Sequence, residues 1–557
     1  MSRRKSERIV LDAAELMAIV ERTKTSALTV EEYEKLKASV ETLVWVEAEL
    51  EKKNASLKRI RKALSLNTKK TEKTSEVLKG AGATESPQGN DEERSGEKPE
   101  KKKKKPKGHG RNGADAYEGA GKTQVPHESL KPGDSCPECE TTSAKVYPLI
   151  NPVKLVRVRG QAPIQAEVYE LEGLRCNLCG KVFRAKAPEE VGEKKYDETS
   201  ASMIGLLKYG TGLPFNRLAR LMKSFKIPLP TSTQWDIIRK AAIILMIACE
   251  ELIRQAAQWD IFYNDDTSIK ILQLLKENQQ IEQAGSKERT GIFTSAIVAS
   301  CEDHKIAVFF TGRQHAGENL ADVLRHRAKE LERPMHMCDG LSRNVPKDFA
   351  DLLIKANCMA HGRRKFVEVA ENFPQECLHV LKSLCRVYRN DATARKEKMS
   401  PEDRLRFHQD HSAKVMTDLE SWMNEQLEER KVEPNSSLGS AFSYMIKRWD
   451  KLTLFLRKPG APLDNNICER ALKKAVLHRK NALFYKTEKG ARVADTFMSL
   501  IYTAELEGVD PFDYLTELLK HPEELRRSPQ DWMPWNYQAA VAAAEVAVAQ
   551  SDVELAA

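Results

Sequence analysis

The side chains able to do chemistry in this chain begin with four acids. Asp265 and Asp266 adjoin in the apolar, β-prone stretch WDIFYNDDTSIKIL (residues 259–272), Asp339 closes the short apolar run MHMCD (335–339), and Glu469 lies in LDNNICERALKKAVLHRKN (463–481). Acids inside a buried strand are costly unless paired or metal-bound. Glu469 has Arg470, Lys473, Lys474, His478, Arg479 and Lys480 around it, a setting that suits an acid holding a divalent metal while its neighbours hold phosphates. Oxygen ligands of this kind are the ones magnesium prefers. Two such ions about 3.5–4 Å apart can activate the attacking oxygen and stabilise the leaving one in phosphodiester displacement. The plainer readings are a capping box at Asn466 and Glu469, a turn-forming Asp339 before Gly340, and a strand-end acid at Asp265.

The cysteines point to a second metal. Cys136-Pro-Glu-Cys139 is followed after 36 residues by Cys176-Asn-Leu-Cys179-Gly180, the pattern of a tetrahedral four-cysteine zinc ribbon. Four thiolates leave no open position, so one structural Zn2+ is expected; a redox pair would need a βαβ context that is missing. Val156, Val158, Val168, Tyr169 and Leu171 predict strands in this module. Cys358 and His361, in CMAHGRRKF (358–366), also stand at ligand spacing. No second pair lies nearby, so they are read as packing or positioning residues. Arg363, Arg364 and Lys365, with Lys473 and Lys480, are candidates for phosphate contacts, the alternative being a solvated helix face.

The elements that position these groups can be traced along the chain. At 557 residues it should hold several domains. Its net charge of +9 permits a polyanionic partner without requiring one. No apolar run is long enough to span a membrane and the charged N-terminus is no signal peptide, so a cytoplasmic location without a membrane partner is expected. The odd count of 11 cysteines fits a reducing compartment. Leu36, Leu43, Leu50, Leu57 and Leu64 recur every seven residues, which predicts a coiled coil and a homodimer or higher oligomer, the alternative being a single amphipathic helix folded back on its own protein; Glu47, Asn54 and Arg61 weaken the seam. The stretch from Asn67 to about Leu130, with Lys101–Lys105, cannot offset its ordering entropy and reads as a disordered basic linker.

Beyond the cysteine module, residues 199–253 read as helices. A Lys226–Pro230 break separates Phe215–Phe225 from a hydroxyl-capped helix at Thr231, compatible with helix-turn-helix DNA reading or an ordinary helical hairpin. Next come a strand with Asp265, a polar loop, strands at 291–300 and 305–310, a helix over 316–331, a fourth strand ending at Asp339, and a helix. That order matches a ribonuclease-H-like fold. The 130-residue gap from Asp339 to Glu469 predicts an inserted helical domain, in which Leu378, Leu381, Leu384 and Tyr388 have helical spacing. The fold class is thus α/β multidomain. Its expected parts are coiled coil 1–66, disordered basic linker 67–130, zinc module 131–190, helical DNA-binding region 191–258 and ribonuclease-H-like core 259–366. They continue with helical insertion 367–456, the core's final helix with the third acid 457–498, and a C-terminal helical segment and tail 499–557.

Asp265-Asp-Thr267, the block Cys358–Phe366 and Leu463-Asp-Asn-Asn-Ile-Cys-Glu-Arg-Ala-Leu472, continuing to Arg479-Lys-Asn481, resemble the insertion-sequence-66 family of transposases. The resemblance runs over almost the whole chain, including Gly108–Gly113 and Trp532–Trp535. It implies a DDE transposase of a bacterial insertion sequence, with Asp265, Asp339 and Glu469 as catalytic and metal-holding triad and two Mg2+ or Mn2+ ions as cofactors. DNA contacts would come from Arg363, Arg364, Lys365, Arg470, Lys473, Arg479 and Lys480. The family's first block ordinarily reads Asp-Glu-Thr; here it is Asp-Asp-Thr, and position within the block favours Asp265 over Asp266. The implied partners are the element's terminal repeats, target DNA and small accessory proteins of the same element. Two other readings stay open: a non-catalytic zinc-containing DNA-binding regulator, and a structure-specific nuclease on the same fold.

Overall fold

In the computed structural model, which describes residues 13–23, 26–40, 131–132, 134, 163–175, 182–184, 186, 188, 194–284, 288–301 and 304–556, the β-prone stretches around Asp265 pair as one sheet. The chain divides into two compact units, Ser86–Gln165 and the remainder, and every described strand and helix belongs to the remainder. Cys136, Cys139, Cys176 and Cys179, expected to hold zinc, the stretch 67–130 expected as a linker and the leucine repeat from Leu43 onward lie outside the described residues. A two-stranded hairpin, β1 (Gly173–Arg175) with β2 (Val182–Arg184), flanks the second cysteine pair in sequence. Val168, Tyr169 and Leu171, expected in strands, lie outside any strand and are exposed.

The sheet consists of β3 (Ile261–Ser268), β4 (Phe293–Ser300), β5 (Lys305–Gly312), β6 (Met335–Cys338) and β7 (Ile354–Asn357), in the order β5-β4-β3-β6-β7. β3, β4 and β5 form an antiparallel meander, whereas β6 runs parallel to β3 and β7 parallel to β6. Seven of the eight residues of β4 are buried, as expected of a strand covered on both faces. The sheet departs from the sequence reading in three places. The polar loop after β3 contains a helix, Leu272–Gln283, because Gln, Glu, Lys and Leu are good helix formers even without a strong apolar stripe. The helix after β5 ends at Leu324. The fifth strand, Ile-Lys-Ala-Asn, is too short and polar for an alternation signal and gains its order from pairing with β6.

β5 is an edge strand, and a helix completes it. Along Glu488–Leu506 and its C-cap, the side chains of Asp495, Ser499, Thr503 and Glu507 recur every four residues and accept the backbone N–H groups of Thr311, Phe309, Ala307 and Lys305 at 2.8, 3.0, 3.1 and 2.7 Å. Four helical residues rise about 6 Å and two strand residues about 6.7 Å, so the two repeats stay in step. This polar ladder stands where a sixth strand would, and it protects the edge from pairing with another chain. The boundary expected at 498/499 falls inside this helix. Thr503 is fully buried, so Thr503→Val leaves the Ala307 N–H without an acceptor and is expected to cost about 1–3 kcal/mol in urea unfolding.

The region before the sheet forms helices Glu198–Gly205, Phe215–Ser224 and Thr231–Ala256. The break at Lys226 adopts φ 61°. The helix at Thr231 starts without a side-chain cap, contrary to expectation, and continues for 26 residues with Ile238, Leu245 and Leu252 buried. Between β7 and Leu463 the chain is helical: Met359–Val369, Pro374–Lys396, Pro401–His411, Ala413–Glu428 and Ser437–Ile446. The helices Met359–Val369, Pro374–Lys396, Ala413–Glu428 and Ser437–Ile446 share one core, in which Phe366, Leu381, Leu384, Met423 and Phe442 are buried. The tail forms a helix, Tyr537–Ala556. No described helix is long and apolar enough to cross a membrane.

Candidate active site

Register decides which acids meet. In the parallel β3–β6 pair, Ile261 lies beside Met335 and Tyr263 beside Met337. Carried two residues past the last paired positions, and one past the end of β6, that register leads Asp265 and Asp339 to the same side by the period-two alternation of side chains. Asn344, buried in the loop after β6, holds both: its amide Nδ2 donates to Asp339 Oδ1 at 2.8 Å and to Asp265 Oδ1 at 3.4 Å. Burial, with the charges of Asp339 and Asp266 close by, pushes the Asp265 carboxyl up to about 6.

Asp266 turns the other way. Its buried carboxylate meets His315 Nδ1 at 2.8 Å and Arg343 at 3.5 Å, and its side chain is 2% exposed. The adjacent aspartates therefore occupy different environments: Asp265 faces a like charge, whereas Asp266 is paired with bases.

The loop carrying Asp339 is tightly fixed. Leu341 N donates to Asp339 Oδ1 at 2.9 Å, and Tyr444 of the helical insertion donates its hydroxyl to the Asp339 carbonyl at 2.9 Å. Gly340 adopts φ +82°, and a Cβ there would lie 3.0 Å from Arg448 Nε, so both conformation and space call for glycine. Beneath the acids, Asn264 donates to the Asn344 carbonyl at 2.7 Å, its Oδ1 lies 2.9 Å from His336 Nε2, and its own carbonyl accepts from Asn465 at 3.1 Å.

Glu469 approaches from the helix Asn466–Ala482, which packs on β3 and β4. The neighbouring Cys468 thiol donates to the Ala296 carbonyl at 3.3 Å, and Ala296 is the register partner of Asp265. The Asn466–Glu469 capping box does not form; Asp464 accepts the Asn466 N–H at 3.1 Å instead. Glu469 Oε1 lies 3.7 Å from His361 Nδ1 and Oε2 lies 3.7 Å from Arg364. Asp265 and Asp339 are thus brought together directly, while the nearest ionic partners of Glu469 lie on the helix Met359–Val369.

Among the expected phosphate contacts, Lys365, Arg470, Lys473 and Lys480 are exposed and Arg363 is half-buried. Lys365 reaches over the Tyr444 ring at 5.7 Å. Arg479 anchors the end of β3 through Thr267 Oγ1 at 3.0 Å and Ser268. Sequence reasoning missed Asn344, Asn264 and His336. Asn264 could have been suspected beside the acids, but nothing local marks Asn344, which acts across about eighty residues of chain.

Residues 195–493, from the first core helices through β7, the helical insertion and the Glu469 helix, match the family model described as Transposase IS66 family. That family makes the protein a nucleic-acid-processing enzyme with a transposase role. The chain belongs to the IS66 family of transposases. It is also similar to the uncharacterized proteins y4jD and y4hP of Sinorhizobium fredii. The first is 25% identical over 384 residues, covering 65% of this chain and 71% of that protein. The second is 26% identical over 402 residues, covering 67% and 68%. A third protein of that bacterium, y4qI, is 31% identical over 193 residues, a third of each chain.

Proposed function

We propose that this transposase binds the ends of its own element and carries out divalent-metal-dependent strand cleavage followed by strand transfer, with Asp265, Asp339 and Glu469 as the acidic triad of a ribonuclease-H-like core. The observation that carries the reading is that the Asn344 amide holds Asp265 and Asp339 together. The strand order, with an antiparallel meander followed by two parallel strands, supports the fold assignment. Hard oxygen donors fit Mg2+ or Mn2+. Asn344 Oδ1 is buried without a partner, and a cation beside the acids would offset both the burial of the Asp265 charge and its repulsion by Asp339. Divalent ions bound at such a site supply Lewis-acid activation of the attacking oxygen and charge stabilisation of the leaving one.

The chain's own residues have separable roles in this scheme. Asp265 and Asp339 hold their carboxylates on one face of the sheet, and Asn344 with the Asn264–His336 pair sets their orientation. Lys365, Arg470, Lys473 and Lys480 offer exposed charge to the DNA backbone, joined by Arg363, Arg364 and Arg479 at the site's rim. The four-cysteine module would fold around one Zn2+, and the leucine repeat would pair protomers so that two element ends are held together. Accessory proteins of the element remain part of the proposed set of partners.

The deciding experiment incubates the full chain with DNA carrying the element's terminal sequences, in Mg2+ or Mn2+. End-specific nicking followed by joining to a second DNA is expected. Cleavage without end specificity or joining would leave a nuclease, and binding without cleavage a regulator. Asn344→Ala is expected to weaken Mn2+ binding about 10–100-fold, the usual cost of losing a residue that orients metal ligands, as read by Mn2+ titration.

A further inference from the structure

The geometry points to a second metal site on the catalytic face, in which Cys358, His361 and Glu469 bind one divalent ion of the zinc class and leave one coordination position open. Their donor atoms all lie within 4.8 Å of one another. Glu469 Oε1 and His361 Nδ1 face each other at 3.7 Å, and both atoms are buried with no hydrogen-bond partner. A tetrahedral ion with N and O bonds of about 2.0–2.2 Å holds those ligands about 3.3–3.6 Å apart, so the imidazole and carboxylate are nearly in place. Two buried polar atoms that face each other beyond hydrogen-bond reach are costly, and an ion between them removes that cost.

The donor set selects the metal. A thiolate, an imidazole and a carboxylate suit zinc far better than magnesium, which favours oxygen alone. The thiol is also prepared as a ligand. Cys358 is fully buried at the N-cap of Met359–Val369, and its Sγ accepts the Asn465 N–H at 3.2 Å. An entering ion displaces the thiol proton to solvent as it binds.

Rigid elements fix all three ligands. Cys358 N extends the β6–β7 ladder to the Cys338 carbonyl at 2.9 Å, Met359 N donates to Leu463 O at 3.0 Å, and His361 stands one turn further along the same helix. Three protein ligands with an open fourth position differ from the closed four-cysteine arrangement expected in the zinc module. With Oε1 directed at His361, Glu469 keeps Oε2 on the Arg364 side. The ion would therefore fix the rotamer of the third acid independently of any cation on the aspartate pair.

Metal content of the full chain tests this without DNA. After metal removal and reloading, the wild type is expected to hold one more equivalent of zinc than His361→Gln or Cys358→Ser. With Co2+, wild type minus His361→Gln should leave a thiolate-to-cobalt charge-transfer band. His361→Gln keeps a polar side chain of similar reach, so it carries the test if Cys358→Ser fails to fold by circular dichroism. Asp339→Asn is expected to retain the extra equivalent even where it abolishes cleavage, which separates this site from the proposed function. Equal zinc content in wild type and His361→Gln, or a flat cobalt difference spectrum, would overturn the assignment.

Discussion

Asp339→Asn is expected to lower DNA strand cleavage about a thousandfold or more, while Asp266→Asn keeps it within about tenfold of wild type. The substitution at 339 preserves the shape of the side chain and its acceptor for the Leu341 N–H and the Asn344 amide. It removes the charge that a hard cation requires. Metal-based stabilisation of the reacting oxygens is worth several kcal/mol, and each 1.36 kcal/mol is a factor of ten in rate. At position 266 the lost charge is one paired with His315 and Arg343, directed away from Asp339. End-cleavage rates of the two variants under the same Mg2+ concentration check the contrast. Equal losses would put Asp266 in the site, and unchanged cleavage by Asp339→Asn would remove Asp339 from the mechanism.

Asp495→Asn is expected to stabilise the protein at pH 8, by up to about 4 kcal/mol, and to flatten its pH dependence. Burial pushes the Asp495 carboxyl up to about 7 from an ordinary 3.8, although Thr311 donates to it through both backbone N–H and hydroxyl. A raised acid binds its proton in the folded chain over a range where the unfolded chain has released it. The wild type should therefore lose stability as pH rises from about 4 to 7 and lose no more from this group above 7. At 1.36 kcal/mol per pH unit the shift of about three units sets the upper limit. Asn can keep both contacts, accepting from Thr311 N and donating to Thr311 Oγ1, without a buried charge. Urea unfolding of both proteins at pH 5 and pH 8 measures the effect, and the difference between variant and wild type cancels the contribution of Asp265, which trends the same way. Equal pH dependence in the two would show that Asp495 is not the group responsible.

Much of what carries the candidate acids could be read from the sequence. The acid-bearing blocks stand out because a carboxylate is expensive in an apolar strand, and the three strands 261–268, 293–300 and 305–312 were marked by long β-branched and apolar runs. The helical insertion followed from spacing and from the length of chain between Asp339 and Glu469. Elements with weak local patterns were not legible: the four-residue strand β7 and the polar helix Leu272–Gln283 owe their placement to partners.

The amino-acid order by itself determined which residue types were available for metal and phosphate chemistry, the core strand sequence and the family of the protein. Tertiary structure decided which of them meet. The β3–β6 register separates Asp265 from Asp266, Asn344 reaches two acids from its own loop, and the Glu469 helix arrives against Cys358 and His361 rather than closing its own cap. Local periodicity says which face of an element a residue occupies. It carries no information about which distant element that face will meet, because the pairing is set by burial and register across the whole sheet.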